Sequence, residues 1–572
     1  MERIQSKVPS EPFLLQLFER WQQSPDAVVI KDAAEGIQAT GTTFLHDILT
    51  QKDYIYNRLD EDAKKRLSSP DENDNVFIGL LAAAGYHYAV LFFAIYSLGA
   101  VAVPLLPRVL PEEAKYFLSV CNASLLASSP SATDHAQSIS TVTSTPTYTY
   151  TPPTTCQLTF TLSSNTQECN PEKGFVLLYT SGTTGPPKGV LYSRRSAAIG
   201  LRTKAEQLSL TPNDLWLHQM PAHWGAGFDF FTTCMYAGTC VEFCNAVYTP
   251  DWFWGRIKKG DVTCMFASPS VLDGLLEGLG KRSGEEYEAG VKGLRGLKLL
   301  ASGAMRVSDK SKAVWRGLRG DRPLVVLYSA TEVAGLISTT HWEDGEDVPV
   351  DCCGTPPSNL EVKLSEEGEI CIRGPQIMKR YLSSDPNVMN NIYDSEGFYK
   401  TGDVGRLENN LVFVLGRASH DVIRFQGWKI YAPEIEDALH KHPEVLHVLV
   451  VGVRDPKSDQ LVAALLVVKD GVDINSERLK ITNLRRWLAL EQGTRFLGQV
   501  QENRSSPRFG KFCLRKQSAR MAMCRRGIWQ LKNRKLGGEL GIGRAVLLGN
   551  VYLLGEVSTW WTSKCMVQCE VD

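Results

Sequence analysis

Between Val76 and Pro107 the chain carries no Asp, Glu, Lys or Arg. A run of this length can cross a bilayer or fill a protein interior, and its punctuation separates the two. VFIGLLA reads as a strand, Gly85-Tyr86-His87 as a break, AVLFFAIYSLGA as a helix buried on most faces, and VAVPLL as a second strand closed by proline. That order is a βαβ unit, whose parallel strands are covered on both faces and so need continuous apolar sequence. The expectation is an α/β interior without a membrane span.

The same grammar recurs along the chain. PEEAKYFLSV opens with Pro111 and two glutamates, suited to a first helical turn. FVLLYT, VTCMFA, LKLLASGA and PLVVLYSATE are apolar strand runs, each followed by small or polar residues where a ligand can approach strand ends. Residues 127–170 are crowded with Ser, Thr and Pro and read as a loop or linker, in which alternating Thr/Tyr allows an edge strand. From 360 to 416 short strands and turns suggest a β-rich subdomain, and Pro433-Glu434 then opens a helix in another α/β unit.

At 572 residues the chain exceeds one compact domain, and 62 Lys+Arg against 63 Asp+Glu leave a net charge of −1, so no nucleic-acid partner is expected. The close cysteine pairs Cys240/Cys244, Cys352/Cys353 and Cys565/Cys569 lack zinc spacing. No secretory signal is readable at the N-terminus, and a reducing compartment fits. The expected localisation is cytoplasmic; a peroxisomal alternative lacks a Ser-Lys-Leu-like C-terminal signal. From Arg504 to Lys535 there are eleven Lys/Arg and no Asp or Glu, without a period that organises them, which reads as a solvated or poorly folded extension.

Chemistry concentrates in Tyr179-Thr-Ser-Gly-Thr-Thr-Gly-Pro-Pro-Lys-Gly189. Hydroxyls and glycine N–H groups after a buried strand can fold round a polyphosphate. This is not a Walker A loop, since Lys188 lies between Pro187 and Gly189 instead of following glycine and preceding Ser/Thr. The segment resembles the phosphate loop of the adenylate-forming (AMP-binding) superfamily, which includes the acyl-CoA synthetases. Three further motifs in the expected order extend the resemblance: Tyr328-Ser-Ala-Thr331-Glu332, with Ser329 where glycine is usual; Tyr399-Lys-Thr401-Gly402-Asp403; and Gly416-Arg417 followed by Gly427-Trp428-Lys429-Ile430. It covers roughly Leu14 to Gln492.

The resemblance implies a large N-terminal AMP-binding domain over 1–418, built of layered α/β subdomains plus a β-rich one. It implies a small mobile α+β lid over 419–502, leaving an atypical tail at 503–572. It implies ATP-dependent activation of a small carboxylic acid to an acyl-adenylate, then transfer to the thiol of CoA. Thr180, Ser181, Gly182, Thr183, Thr184, Gly185 and Lys188 would hold the β- and γ-phosphates. Glu332 would bind Mg²⁺ and Thr331 would touch the α-phosphate. Ser302, Gly303, Ala304 and Tyr328 would flank the adenine, and Asp403 with Arg417 would take the ribose hydroxyls. Gly427 and Lys429 would lie along the pantetheine tunnel. His223, in Pro221-Ala-His-Trp224, would border the acyl carboxylate, with pocket shape set by Trp224, Gly227, Phe228 and Ser268 and a lean toward an apolar or aryl acid.

The departures are as informative. One extra residue between Gly416 and Gly427 puts the hinge on Ser419 or His420, neither of the expected type. The family's late Gly-Lys has a single candidate, Phe509-Gly510-Lys511, in a stretch of poor likeness. The change of texture near Thr494 resembles a shifted reading frame or retained intron, which would make an adenylation-deficient member. Lys535-Leu-Gly-Gly-Glu-Leu-Gly541 offers no serine for phosphopantetheine, so the alternative to CoA is a carrier protein in trans. A non-enzymatic nucleotide-binding protein is the remaining reading.

Overall fold

The structure, a computed structural model, describes residues 8–152, 169–180, 186–244, 249–341, 349, 351–419, 421–425, 428–455, 459–469, 471–473, 476–491 and 545–547. It is a mixed α/β fold with two compact units: a large one formed by 1–363, 371–400 and 407–412, and a smaller one formed by 364–370, 401–406 and 413–572.

The uncharged run forms the βαβ unit its punctuation implies: strand Phe77–Leu81, helix Tyr86–Ser97 and strand Val101–Pro104. The strands pair in parallel, Phe77 with Val101 and Ile78 with Ala102, and every residue in both is buried. An apolar helix of this kind has no polar side chain to cap it. Its start is supplied from elsewhere: Asp32, ending strand Val28–Asp32, accepts the Tyr86 N–H at 2.8 Å. A Cβ at Gly85 would come within 2.5 Å of that carboxylate, so glycine is required for the approach. No helix among the described residues is long and apolar enough to cross a membrane.

Two sheets build the large unit. The first runs in the order Arg380–Leu382, Lys188–Ser193, Gly174–Thr180, Val101–Pro104, Phe77–Leu81, Leu125–Ser128, Thr147–Thr149. The second runs Ser338–Thr339, Val325–Tyr328, Leu299–Gly303, Cys264–Phe266, Leu215–His218, Cys240–Phe243, Val28–Asp32, Ile37–Thr40. Its six inner strands are all parallel, so their C-terminal ends share one edge. Aromatic rings fill the interior: Phe92 meets Phe228 at 5.0 Å and Phe175 at 5.6 Å, both edge-on.

Residues 127–170 depart from the loop expectation. Leu125–Ser128 is a buried strand and Thr133–Thr143 a helix, while Thr147–Thr149 is the edge strand that the alternating Thr/Tyr allowed; residues 153–168 lie outside the described set. Two apolar side chains, Ala136 and Ile139, are enough to seat the helix, and Ser144 ends it in the left-handed conformation at φ 58°. Composition misled because the helix needs only a narrow apolar stripe.

Helix Arg194–Gln207 carries Gly200 in its interior, where glycine alone would be unfavourable. The backbone explains it: a Cβ there would fall 1.8 Å from the Ala334 carbonyl oxygen. The helix thus lies directly on the segment after strand Val325–Tyr328. Gly200→Ala should therefore destabilise the protein by about 1–3 kcal/mol despite alanine's higher helix propensity. A melting temperature at or above the parent's would refute the close approach.

The β-rich texture at 360–416 is a sheet of strands Glu361–Leu364, Glu369–Arg373, Tyr399–Glu408 and Leu411–Arg417. In the smaller unit, strands Val422–Phe425, Trp428–Tyr431, Val445–Asp455 and Asp459–Val468 pack against helices Ala432–His440 and Ile481–Glu491. Ile423, Ile435, Leu439, Val450, Leu466 and Leu484 form its core. Strand Ala545–Leu547 pairs with Asp459–Val468.

Candidate functional site

Strands Gly174–Thr180 and Lys188–Ser193 are antiparallel, with Tyr179 opposite Gly189 and Thr180 opposite Lys188. The Thr/Gly-rich segment thus closes a hairpin, and Lys188 is the first residue of the returning strand. Ser181, Gly182, Thr183, Thr184 and Gly185 lie outside the described residues. The stem is well anchored. The Thr180 hydroxyl donates to the Lys188 carbonyl at 3.3 Å, and the Tyr179 hydroxyl to the Phe117 carbonyl at 2.6 Å. Tyr116 donates to the Pro187 carbonyl at 2.7 Å.

Across the returning strand lies Arg380–Leu382, with Tyr381 opposite Val190. Sequence reasoning missed Tyr381, although it joins two of the residues it named. Its hydroxyl donates to Glu332 Oε1 at 2.6 Å, and its ring lies 5.2 Å from Lys188 Nζ. Burial, and next the Glu332 charge, push its phenol well above the ordinary range, so Tyr381 is a permanent donor. The Glu332 backbone is held as firmly, its carbonyl accepting the Met378 N–H at 2.8 Å. Thr331 is fixed by Tyr192, whose hydroxyl donates to the Thr331 carbonyl at 2.5 Å.

The neighbouring strand end carries Ser302, Gly303 and Ala304. Ser302 is fully buried, and its hydroxyl has no hydrogen-bond partner among the described residues. A Cβ on Gly303 would fall 2.4 Å from the Leu327 carbonyl oxygen, and Ala304 adopts the left-handed conformation at φ 65°. Tyr328, the last residue of Val325–Tyr328, is buried. On the other side helix Gly225–Ala237 starts against Thr331: a Cβ at Gly225 would lie 2.9 Å from its Oγ1.

His223 immediately precedes that helix. Burial lowers its pKa to about 4, and Nε2 has no partner among the described residues. The imidazole at this site is thus neutral at pH 7. His218 behaves alike, with burial again lowering it to about 4. Both pKa values are depressed relative to the unfolded chain, which therefore takes up protons first as pH falls. Stability should be intact above pH 6.5 and decline toward pH 4, and a His218→Asn/His223→Gln variant should show a flatter melting profile between pH 6.5 and 5. An unchanged slope in that variant would show that neither imidazole is buried neutral.

The residues expected to shape the acid pocket are placed as follows. Trp224 is 48% exposed, Gly227 packs against the Pro221 carbonyl, Phe228 belongs to the aromatic interior, and Ser268 Oγ meets Ser270 Oγ at 3.1 Å. A cavity at the strand ends is lined by Lys204, Ala226, Asp229, Phe230, Phe266, Ala304, Leu327, Ser329 and Leu336.

In the smaller unit Asp403 and Arg417 form an ion pair at 2.9 Å, and Arg417 also donates to the Thr401 carbonyl at 2.8 Å. Within strand Tyr399–Glu408 the kink at Gly402 is fixed on both sides: the Asp403 N–H donates to Thr401 Oγ1, and Gly402, at φ 75°, donates its N–H to Glu369. Lys429 donates to the Glu367 carbonyl at 2.8 Å, and Ser419 is exposed in a turn. His420, Gly427 and Lys511 lie outside the described residues.

The AMP-binding enzyme family model matches residues 33–382, and the AMP-binding enzyme C-terminal domain model matches 434–500, short of Lys511. An acyl-CoA ligase of Aspergillus oryzae, oryP, is 29% identical over 514 residues, covering 86% of this chain and 90% of that one. The malonate–CoA ligase of Arabidopsis thaliana is 27% identical, covering 68% of each chain. Among solved structures, ATP-bound MatB from Rhodopseudomonas palustris superposes with a TM-score of 0.69 at 19% identity, over 85% of this chain and 92% of that one, a likeness of fold.

Proposed function

We propose, for a chain that belongs to the AMP-binding enzyme family, a division of labour among its residues over two half-reactions. The enzyme is an acid–thiol ligase of the acyl-CoA synthetase type. A carboxylate oxygen attacks the α-phosphorus of ATP, the bond to the β-phosphate oxygen breaks, and pyrophosphate leaves. The sulfur of CoA then attacks the acyl carbon, AMP leaves with the bonding pair, and the thiol proton passes to solvent.

The observation that carries the assignment is the Lys188–Tyr381–Glu332 arrangement, which sets a cation beside a carboxylate held by a protonated phenol. Lys188, with the hydroxyls of Thr180, Ser181, Thr183 and Thr184 and with Gly182 and Gly185, holds the β- and γ-phosphates. Glu332 offers a single carboxylate, and no cluster of three metal-ligating side chains exists among the described residues. That donor set fits Mg²⁺, which takes one or two carboxylates and completes its shell with phosphate and water. When bound, Mg²⁺ neutralises charge on the phosphate oxygens.

Thr331 donates to the α-phosphate, Ser302, Gly303, Ala304 and Tyr328 border the adenine, and Asp403 and Arg417 bind the ribose. Neutral His223 orients the acid by hydrogen bonding rather than by charge. Gly427 and Lys429 serve the pantetheine arm, and Lys511 offsets the repulsion between carboxylate and α-phosphate during attack. The decisive experiment is pyrophosphate exchange over a broad panel of acids, followed by thioester formation with CoA as the only thiol. Exchange that depends on acid, and a thioester that depends on CoA, are expected. Exchange without CoA thioester would point to a carrier thiol, and nucleotide binding without exchange on any acid would sink the ligase reading.

A further inference from the structure

Two helices, Arg194–Gln207 and Gly225–Ala237, bury an ion pair between them: Lys204 Nζ contacts Asp229 Oδ2, with side chains only 1% and 10% exposed. The ammonium also sits 3.5 Å from the centre of the Phe230 ring. Burying such a pair where apolar side chains would pack as well is rarely a gain in stability. Its position gives it another use. Both members of the pair line the cavity at the strand ends, together with Phe230, Phe266, Ser329 and the apolar Leu327 and Leu336. Ser329 lies between Tyr328 and Thr331, so this cavity opens among the groups assigned to adenylation.

We propose that the Lys204–Asp229 pair is the specificity determinant at the closed end of the acid pocket, and that the enzyme activates a short acid carrying a hydrogen-bond donor, hydroxyl or amino, at its far end. The inference rests on the ligase reading and names its substrate class. Lys204 also lines the cavity, but its ammonium is committed to Asp229 and to the Phe230 ring and its side chain is 1% exposed against 10% for Asp229, so the more accessible group is the carboxylate, an acceptor whose charge is already balanced. A donor on the acid completes its hydrogen bonding. An alkyl or plain aryl end gives it nothing, and a second carboxylate would set like charges together where water does not screen them. This amends the apolar or aryl lean drawn from aromatic content: Phe230 and Phe266, their rings 5.0 Å apart, and Leu327 and Leu336 also line the cavity, and the ion pair adds a polar group to that lining.

Two matched series test it by kcat/KM for pyrophosphate exchange: butanoate, 3-hydroxypropanoate, 3-aminopropanoate and malonate; and 4-methylbenzoate, 4-hydroxybenzoate, 4-aminobenzoate and terephthalate. In the series that fits the cavity, the hydroxyl or amino member should exceed both the methyl and the dicarboxylate members by about 10- to 100-fold, as expected for one hydrogen bond to a charged group. A Lys204→Met/Asp229→Leu variant removes both charges and strands neither. It should move the preference to the methyl member. Exchange led by methyl or dicarboxylate acids in the parent would overturn the proposal while leaving the ligase reading intact, and absence of exchange on the broad panel would remove the ligase reading. A folded double variant that keeps the parent's rank order would make the pair purely structural, and if that variant fails to fold, the parent's own ranking decides.

Discussion

Glu332→Gln should lower acid-dependent pyrophosphate exchange by about 100-fold or more while leaving ATP binding within about tenfold. The substitution is nearly isosteric, so the Tyr381 hydroxyl, 2.6 Å from the carboxylate in the parent, still finds an oxygen to donate to. The backbone is untouched, because the Glu332 carbonyl keeps the Met378 N–H. What disappears is the negative charge, and with it the protein's own hold on the cation that offsets charge building on the phosphates during attack. Binding of ATP suffers less, since Lys188 and the hairpin remain. Melting behaviour should match the parent's, which separates loss of chemistry from loss of fold. Near-parental exchange would take Glu332 out of the site.

The sequence was most readable where burial leaves no choice. The run from Val76 to Pro107 spells a βαβ unit because parallel strands covered on both faces tolerate no charge, and the structure has that unit. What starts its helix was hidden, since the capping Asp32 lies 54 residues away and no local pattern points to it. Tyr381 was invisible for the same reason: it is 49 residues from Glu332, and the two meet only through long-range contacts, the Val333–Ile377 bridge and the Met378 N–H on the Glu332 carbonyl.

The cavity at the strand ends was hidden in a different way. Trp224, Gly227 and Phe228 follow helical spacing, but so do Ala226, Asp229 and Phe230, displaced by two residues and hence by roughly 200° about the helix axis. The sequence shows two faces of helix Gly225–Ala237 and does not say which meets the strand ends. The resemblance pointed to the first, and the cavity is lined from the second, while Phe228 packs against Phe92 and Phe175. The charged pair that results could be read as a solvated Lys and a solvated Asp until the two helices were set against each other.

The ribose assignment is tested by nucleotide discrimination. The parent should prefer ATP over 2′,3′-dideoxy-ATP, and Asp403→Ala should raise the KM for ATP by about 10- to 100-fold while erasing that preference, because a carboxylate offers two acceptors to a hydroxyl pair. Misfolding is a weak rival explanation. Arg417 is 48% exposed, so when its partner is removed the guanidinium can hydrate, and it keeps its bond to the Thr401 carbonyl. The strand kink at Gly402 also survives, since Thr401 Oγ1 still accepts the N–H of residue 403 and donates to the Ile370 carbonyl at 2.7 Å. Asp403→Asn keeps one acceptor and should fall between alanine and the parent. If Asp403→Ala bound both nucleotides more weakly but preserved the parent's ratio between them, Asp403 would be supporting the kink rather than reading the sugar, and the ribose contact would have to be sought elsewhere.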